Sequence, residues 1–78
     1  EEHLAKNIFE QIGGKQNTNK IYNCMTRIRI DIKDFQAVNL SALEEVEGVL
    51  GLVKDGNTLQ IVVGPGTSQK VADKMNEL

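Results

Sequence analysis

At 78 residues, the chain is long enough for one small domain and too short for a second lobe or a deep substrate cleft. A content of 40% hydrophobic and 26% charged residues is typical of a soluble globular domain and excludes disordered and membrane-embedded classes. The formal net charge of -2 gives no long-range attraction for nucleic acid, so we expect no nucleic-acid partner, and any recognition of phosphate must be local.

The first half of the sequence predicts one helix and one hairpin. Apolar residues at helical spacing predict a helix from Glu2 to Ile12, which ends at Gly13-Gly14. A polar loop leads to an extended segment around residues 19–23, and the chain then reverses at Cys24-Met25. Strict alternation follows and predicts a strand with one buried and one solvated face. The buried face carries Thr26, Ile28, Ile30 and Ile32, and the solvated face carries Arg27, Arg29, Asp31 and Lys33.

The second half begins with a short predicted helix and a second hairpin. The helix follows a cap at Asn39 or Ser41 and ends at Gly48. Two β-rich segments, residues 49–54 and 58–63, are separated by a glycine turn and should pair as a hairpin.

A last helix completes the predicted fold. Gly64-Pro65-Gly66 ends the preceding strand, and Thr67 or Ser68 is expected to cap the helix. Its buried stripe comprises Val71, Ala72, Met75 and Leu78. The order α-β-β-α-β-β-α predicts an α/β (α+β) two-layer sandwich, in which a four-stranded, mainly antiparallel sheet has three helices on one face. The arginines of the first hairpin would then lie on the other face.

The cysteine content and the apolar runs indicate the compartment of the chain and which sites it lacks. The single cysteine, Cys24, excludes an internal disulfide and is typical of a reducing compartment. It has no His or Cys neighbour at ligand spacing, so we expect no metal site and no cofactor. The apolar runs are far shorter than the roughly 20 residues of a membrane helix, so we expect no direct membrane insertion. Because the chain starts at Glu1 and not at Met, we expect residues 1–78 to be one domain of a longer membrane protein.

The residues that carry chemistry surround the first predicted turn. Cys24, Thr26, Arg27 and Arg29 lie within six residues of one another. Because alternate strand residues share a face, the two arginines should form a cationic surface beginning beside the thiol. Guanidinium groups donate paired hydrogen bonds to phosphoryl oxygens and would favour the nucleophilic thiolate. Backbone N–H groups of Met25 and Thr26, with the Thr26 hydroxyl, would add donors for an attached phosphoryl group.

Other interpretations of these residues stay open at this point. A lone cysteine is more often a small buried hydrophobic residue than a nucleophile, and alternating arginines often mark only a solvated strand face. An activated Cys24 would also suit a thiol redox or sensor domain, although the sequence has no second cysteine to resolve an oxidised form. A non-catalytic module that binds an anion or a protein is the third alternative.

The run Asn23-Cys24-Met25-Thr26-Arg27-Ile28-Arg29-Ile30 resembles a family signature, Cys-x-Thr-Arg-Leu-Arg, with Ile28 in place of leucine. The family is the glucose-type enzyme IIB (EIIB) domain of the bacterial phosphoenolpyruvate-dependent sugar phosphotransferase system. The resemblance continues through residues 49–53 and 60–66 and so covers nearly the whole chain. Together with the ending Lys74-Met75-Asn76-Glu77-Leu78, it is closest to members specific for N-acetylmuramic acid.

This resemblance implies a phosphotransferase. Cys24 would attack a phosphohistidine of an enzyme IIA (EIIA) partner and become a phosphocysteine. The phosphoryl group would then pass to a sugar held by the membrane-embedded enzyme IIC (EIIC), which would tether the domain to the cytoplasmic face of the membrane. The implied catalytic residues are Cys24, Arg27 and Arg29, with Thr26 and Met25 binding the phosphoryl group.

A flat, exposed sheet face would let one small domain dock on two partners in turn. Exposed Val62 and either Leu50 or Leu52 would give this face an apolar part, since transient interfaces are mixed in character. Tyr22 lies close to the thiol in sequence. We therefore expect Tyr22 and Val62 to contact partners.

Overall fold

The computed structural model of the chain describes residues 2–78. These residues form three α-helices, two single 3-10 turns and four strands. In chain order they are α1 (Glu2–Ile12), η1 (Lys15–Asn17), β1 (Thr18–Asn23), β2 (Arg27–Ile32), η2 (Phe35–Ala37), α2 (Leu40–Glu44), β3 (Gly51–Asp55), β4 (Thr58–Val62) and α3 (Thr67–Glu77). The predicted order of helices and strands is confirmed.

The four strands of residues 2–78 form one antiparallel sheet in the order β1-β2-β4-β3. Each hairpin is therefore an adjacent pair, and β2 and β4 lie side by side at the centre. The alternation in β2 is the one the sequence predicts: Ile28, Ile30 and Ile32 are buried, and the residues between them are partly exposed.

Three helices cover the isoleucine face of the sheet, as predicted for a two-layer α/β sandwich. Helix α1 buries Ala5, Ile8 and Ile12, which lie on one face at helical spacing. These residues join side chains of β2, β4 and α3 in one hydrophobic core. Helices α1 and α3 have eleven residues each, and no helix within residues 2–78 has the length and apolar character of a membrane span.

Helix ends follow local sequence signals at α1 and α2. Gly13 has a φ of 93°, a conformation that residues with a Cβ rarely adopt, and a Cβ there would lie 3.2 Å from Ala37 Cβ. Helix α2 begins after Asn39, whose Oδ1 accepts the backbone N–H of Ala42 at 3.0 Å. Of the two predicted caps, Asn39 is the one used.

Helix α2 ends earlier than predicted, and the first strand of the second hairpin begins later. Helix α2 ends at Glu44 and not at Gly48, because the Glu45 N–H bonds to Ala42 O as well as to Leu43 O and the chain turns away. Strand β3 starts at Gly51, where pairing with Val62 begins.

The prediction for the start of α3 was wrong. Its N-cap is Gly66, with a φ of 83° and no capping side chain, because Thr67 and Ser68 already lie inside the first helical turn. Val71, Ala72 and Met75 are buried as predicted, whereas Leu78 is 49% exposed because it follows the last helical residue.

Candidate functional site

The candidate site is the loop that joins β1 to β2 at one end of the sheet. Residues 24–26 form this loop, and the Cys24 N–H donates to the Arg27 carbonyl at 2.9 Å to close the hairpin. The loop is also tied to the end of β4, because Thr26 O accepts the N–H groups of Val63 and Gly64 at 3.0 and 3.1 Å. The loop is thus anchored to both central strands.

The Cys24 side chain is partly exposed to solvent, and three groups near its sulfur favour the thiolate form. These are the Arg29 guanidinium and the backbone N–H groups of Thr26 and Arg27. The hydrogen bond from Arg29 is the main reason why the pKa of the Cys24 thiol lies below its usual value; partial desolvation opposes it, and the two amides reinforce it. The same contact raises the pKa of Arg29. A larger fraction of Cys24 than of an ordinary cysteine is therefore thiolate, the nucleophilic form, at neutral pH.

The two arginines lie on the outer face of the sheet but contact different partners. The Arg29 guanidinium is the group that most lowers the pKa of the Cys24 thiol. Arg27 contributes its backbone N–H to the sulfur, while its Nη1 donates to Gln60 Oε1 on β4 at 2.8 Å. The sequence predicted two guanidinium groups at the thiol, and the structure places one there and the other beside it.

Gln60 is a residue that the sequence analysis did not single out. It is 7% exposed although it lies on the outer face, where it is opposite Arg29 in the β2–β4 register and contacts Arg27. The available signal was a single polar residue within the apolar run 59–63, on the same strand face as Val62. A polar side chain in that setting indicates a partner on the neighbouring strand.

The amides at the sulfur differ by one residue from the predicted donors. The sequence analysis named the N–H groups of Met25 and Thr26, and the structure directs those of Thr26 and Arg27 to the sulfur. The Met25 side chain projects into solvent and is 80% exposed.

The predicted docking residues flank the arginines. In the strand registers Tyr22 lies opposite Arg29 and Val62 lies opposite Arg27, and both are partly exposed on the outer face. Of the two leucines considered, Leu50 is 72% exposed, whereas Leu52 packs against the core. The apolar surface near the site therefore includes Leu50.

The arrangement suits an anion held on sulfur. A partly exposed thiol has beside it a guanidinium group and two backbone N–H groups that favour negative charge on its sulfur. Within residues 2–78 no group of three metal-ligating side chains is present. Fold and site together define a small α/β sandwich domain with an activated, solvent-accessible cysteine on its hairpin loop.

Comparisons with known proteins identify the family. Residues 6–39 match the family model described as phosphotransferase system, EIIB. Over all 78 residues the chain is 46% identical to the PTS system MurNAc-GlcNAc-specific EIIBC component of Staphylococcus saprophyticus subsp. saprophyticus, and 44% identical to the component of that name from Staphylococcus aureus (strain USA300). The chain spans 16% of the length of each relative.

A solved structure agrees with these matches. The crystal structure of one domain of the PTS system IIabc component from Clostridium difficile superposes with a TM-score of 0.79 at 28% identity. The superposition covers 96% of this chain and 74% of that one. The chain belongs to the EIIB family of the phosphotransferase system, as its resemblance in sequence predicted.

Proposed function

We propose that this domain carries a phosphoryl group on Cys24, which it accepts from a phosphohistidine of EIIA and transfers to a sugar bound by EIIC. The observation that carries the proposal is the set of donors around the sulfur, namely the Arg29 guanidinium and the amides of Thr26 and Arg27. These donors stabilise negative charge on the sulfur and are placed to stabilise it on an attached phosphoryl group.

The first step forms the S–P bond. The Cys24 thiolate attacks the phosphorus atom in line with the P–N bond of the phosphohistidine. That bond breaks as the imidazole leaves, and the imidazole takes up from solvent a proton equivalent to the one that the thiol released. The lowered pKa of Cys24 supplies the thiolate at neutral pH. The Arg29 guanidinium is available to hold the equatorial phosphoryl oxygens, where charge is concentrated during transfer.

The second step breaks the S–P bond. A sugar hydroxyl attacks phosphorus, an O–P bond forms, and the Cys24 thiolate leaves while the hydroxyl proton passes to a base on the sugar-binding domain. Because the same three donors stabilise the departing thiolate, the residues that activate Cys24 as a nucleophile also make it a good leaving group. Arg27, held by Gln60 on the same face, is positioned to meet the phosphoryl group or the incoming partner.

The partners and the sugar follow from the relatives. The chain aligns along its whole length with 16% of proteins named EIIBC components, which supports residues 1–78 as the EIIB domain of a longer permease. The fused EIIC would tether the domain to the cytoplasmic face of the membrane. The names of the relatives support a sugar that contains N-acetylmuramic acid, in particular MurNAc-GlcNAc.

Intact-mass measurement tests the carrier role. The chain is incubated with phosphoenolpyruvate, enzyme I, the histidine phosphocarrier protein and a matching EIIA. We expect the mass to rise by one phosphoryl group, and Cys24→Ser to lose the thiol-linked product. An unmodified chain would contradict the proposal, and a gain of oxygen on Cys24 would favour the redox alternative.

The sugar requires a separate experiment with the full-length permease in membrane vesicles. Phosphorylation of MurNAc-GlcNAc, N-acetylmuramic acid and glucose is compared at equal concentration, with EIIA and its donors present. We expect a sugar containing N-acetylmuramic acid to be preferred. A preference for glucose would overturn the assignment of the sugar and leave the carrier role intact.

A further inference from the structure

A buried serine on α3 holds the backbone of the Cys24 loop. Ser68 is 1% exposed, and its Oγ lies 2.8 Å from the carbonyl oxygen of Cys24 and 2.9 Å from that of Met25, so its hydroxyl proton is shared between two carbonyls. The next carbonyl along the chain, that of Thr26, accepts the N–H groups at the end of β4. Three consecutive carbonyls are therefore bonded to the body of the domain.

The direction of these carbonyls fixes the direction of the amides. In a trans peptide unit the C=O and N–H groups point in opposite directions, and none of the peptide bonds in residues 2–78 is cis. When the Met25 carbonyl points inward to Ser68, the Thr26 N–H must point outward, which is where the Cys24 sulfur lies. The Cys24 carbonyl likewise turns the Met25 N–H away from Ser68.

We propose that Ser68 is a positioning residue for phosphoryl transfer. Its hydroxyl turns the amides of residues 25 and 26 away from the body of the domain, that of Thr26 toward the sulfur, where both can meet a phosphoryl group attached to Cys24. The proposal rests on the carrier function proposed above. Without the hydroxyl the Met25 carbonyl loses its bond to Ser68, and the Cys24 carbonyl keeps only the exposed Nδ2 of Asn23, at 3.3 Å. The two peptide units are then held less firmly. The donors at the sulfur would then fall to Arg29 and the Arg27 amide, which the Thr26 carbonyl still orients.

The test compares Ser68→Ala with Ser68→Thr and Asn17→Ala in the 78-residue chain, which encloses its own core. Asn17 is a matched control, because it is buried and its Nδ2 donates to two carbonyls, those of Ile12 and Asp34. It lies beside β1 at the end of the sheet away from Cys24. For each folded variant the rate of Cys24 alkylation by iodoacetamide is measured from pH 6 to pH 10.

We expect Ser68→Ala to lower the alkylation rate at pH 7 by about threefold and to move the profile to higher pH. Ser68→Thr, which keeps the hydroxyl, should restore the rate, and Asn17→Ala should lower stability without moving the profile. A Ser68→Ala profile that matches the unsubstituted chain, or an equal displacement in Asn17→Ala, would overturn the proposal. Alkylation needs no partner protein, so this outcome is separate from failure of the domain to accept a phosphoryl group.

NMR of the unsubstituted chain tests the same idea if Ser68→Ala does not fold. We expect the Ser68 hydroxyl proton to exchange slowly with water and the amide proton of Thr26 to titrate with the Cys24 thiol. A hydroxyl that exchanges as fast as an exposed serine would refute the role of Ser68. With EIIA and its phosphoryl donors present, Ser68→Ala should also be phosphorylated about threefold more slowly than Asn17→Ala.

Discussion

Replacing Arg29 with glutamine should reduce the reactivity of Cys24, whereas the same replacement at Arg27 should not. Arg29 is the largest cause of the lowered pKa of the thiol, and it acts through its side-chain guanidinium. The Arg27 side chain contacts Gln60, and the N–H that Arg27 donates to the sulfur belongs to the backbone, which the substitution leaves in place. Substitutions of the two arginines, which share one strand face, are therefore expected to differ in their effect on the alkylation rate of Cys24.

The size of the effect follows from the number and kind of donors. Arg29 is the first of three groups that lower the pKa of the Cys24 thiol and the only charged one, but the site is open to water, which replaces part of the loss. We expect the fraction of thiolate at pH 7 to fall by about five- to tenfold. The thiolate that remains is intrinsically more nucleophilic, because the pKa of its thiol is higher. This gain offsets about half of the loss of thiolate on a logarithmic scale, so the alkylation rate should fall by about threefold.

The assay is the rate of iodoacetamide alkylation at pH 7, followed by mass spectrometry on Arg29→Gln, Arg29→Lys and Arg27→Gln. Arg29→Lys keeps the charge without the guanidinium and should lie between the unsubstituted chain and Arg29→Gln. Arg27→Gln should react within about twofold of the unsubstituted chain. The reasoning fails if Arg29→Gln reacts at the original rate, or if Arg27→Gln is slowed to the same extent.

Three further outcomes are expected from the fold. Leu59→Ala, at a fully buried residue of β4, should lower the free energy of unfolding by about 2–5 kcal/mol in urea titrations, and an unchanged midpoint would contradict the assigned core. Asn39→Ala removes the cap of α2 and should cost about 1 kcal/mol by the same measurement, with Ser41→Ala as a neutral control. Because the folded pKa of Cys24 lies below that of the unfolded chain, its contribution to stability is present above the unfolded pKa and is lost as pH falls through the folded one. The stability difference between the unsubstituted chain and Cys24→Ser should therefore grow from pH 7 to pH 10, and a constant difference would argue against the lowered pKa.

The outer face of β2 could be predicted from the sequence because strand side chains alternate with a period of two. That rule placed Arg27 and Arg29 on one face without knowledge of the neighbouring strand. It could not tell that one guanidinium turns to the loop while the other crosses to Gln60, which lies 33 residues further along the chain. Such a contact depends on strand pairing, and local patterns do not contain it.

Ser68 illustrates the same limit on a helix. A serine just after a glycine-rich turn is a common helix cap, and this prediction was wrong because Gly66 takes that place with a positive φ. The hydroxyl instead bonds to carbonyls 44 and 43 residues earlier in the chain. Local propensity therefore predicted the helix, and tertiary structure decided what its first hydroxyl does.

Three loop carbonyls are bonded to the body of the domain, and this affects how such a carrier would receive and release a phosphoryl group. Because these bonds fix the direction of the loop amides, attaching a phosphoryl group to the sulfur would change the charge of the surface and leave its shape almost unaltered. The phosphoryl donor and the phosphoryl acceptor would then bind the same rigid surface. They would distinguish the phosphorylated from the unphosphorylated domain by its charge. The direction of phosphoryl transfer would be set by the relative concentrations of the phosphorylated donor and the incoming sugar. No conformational switch in this domain would be required.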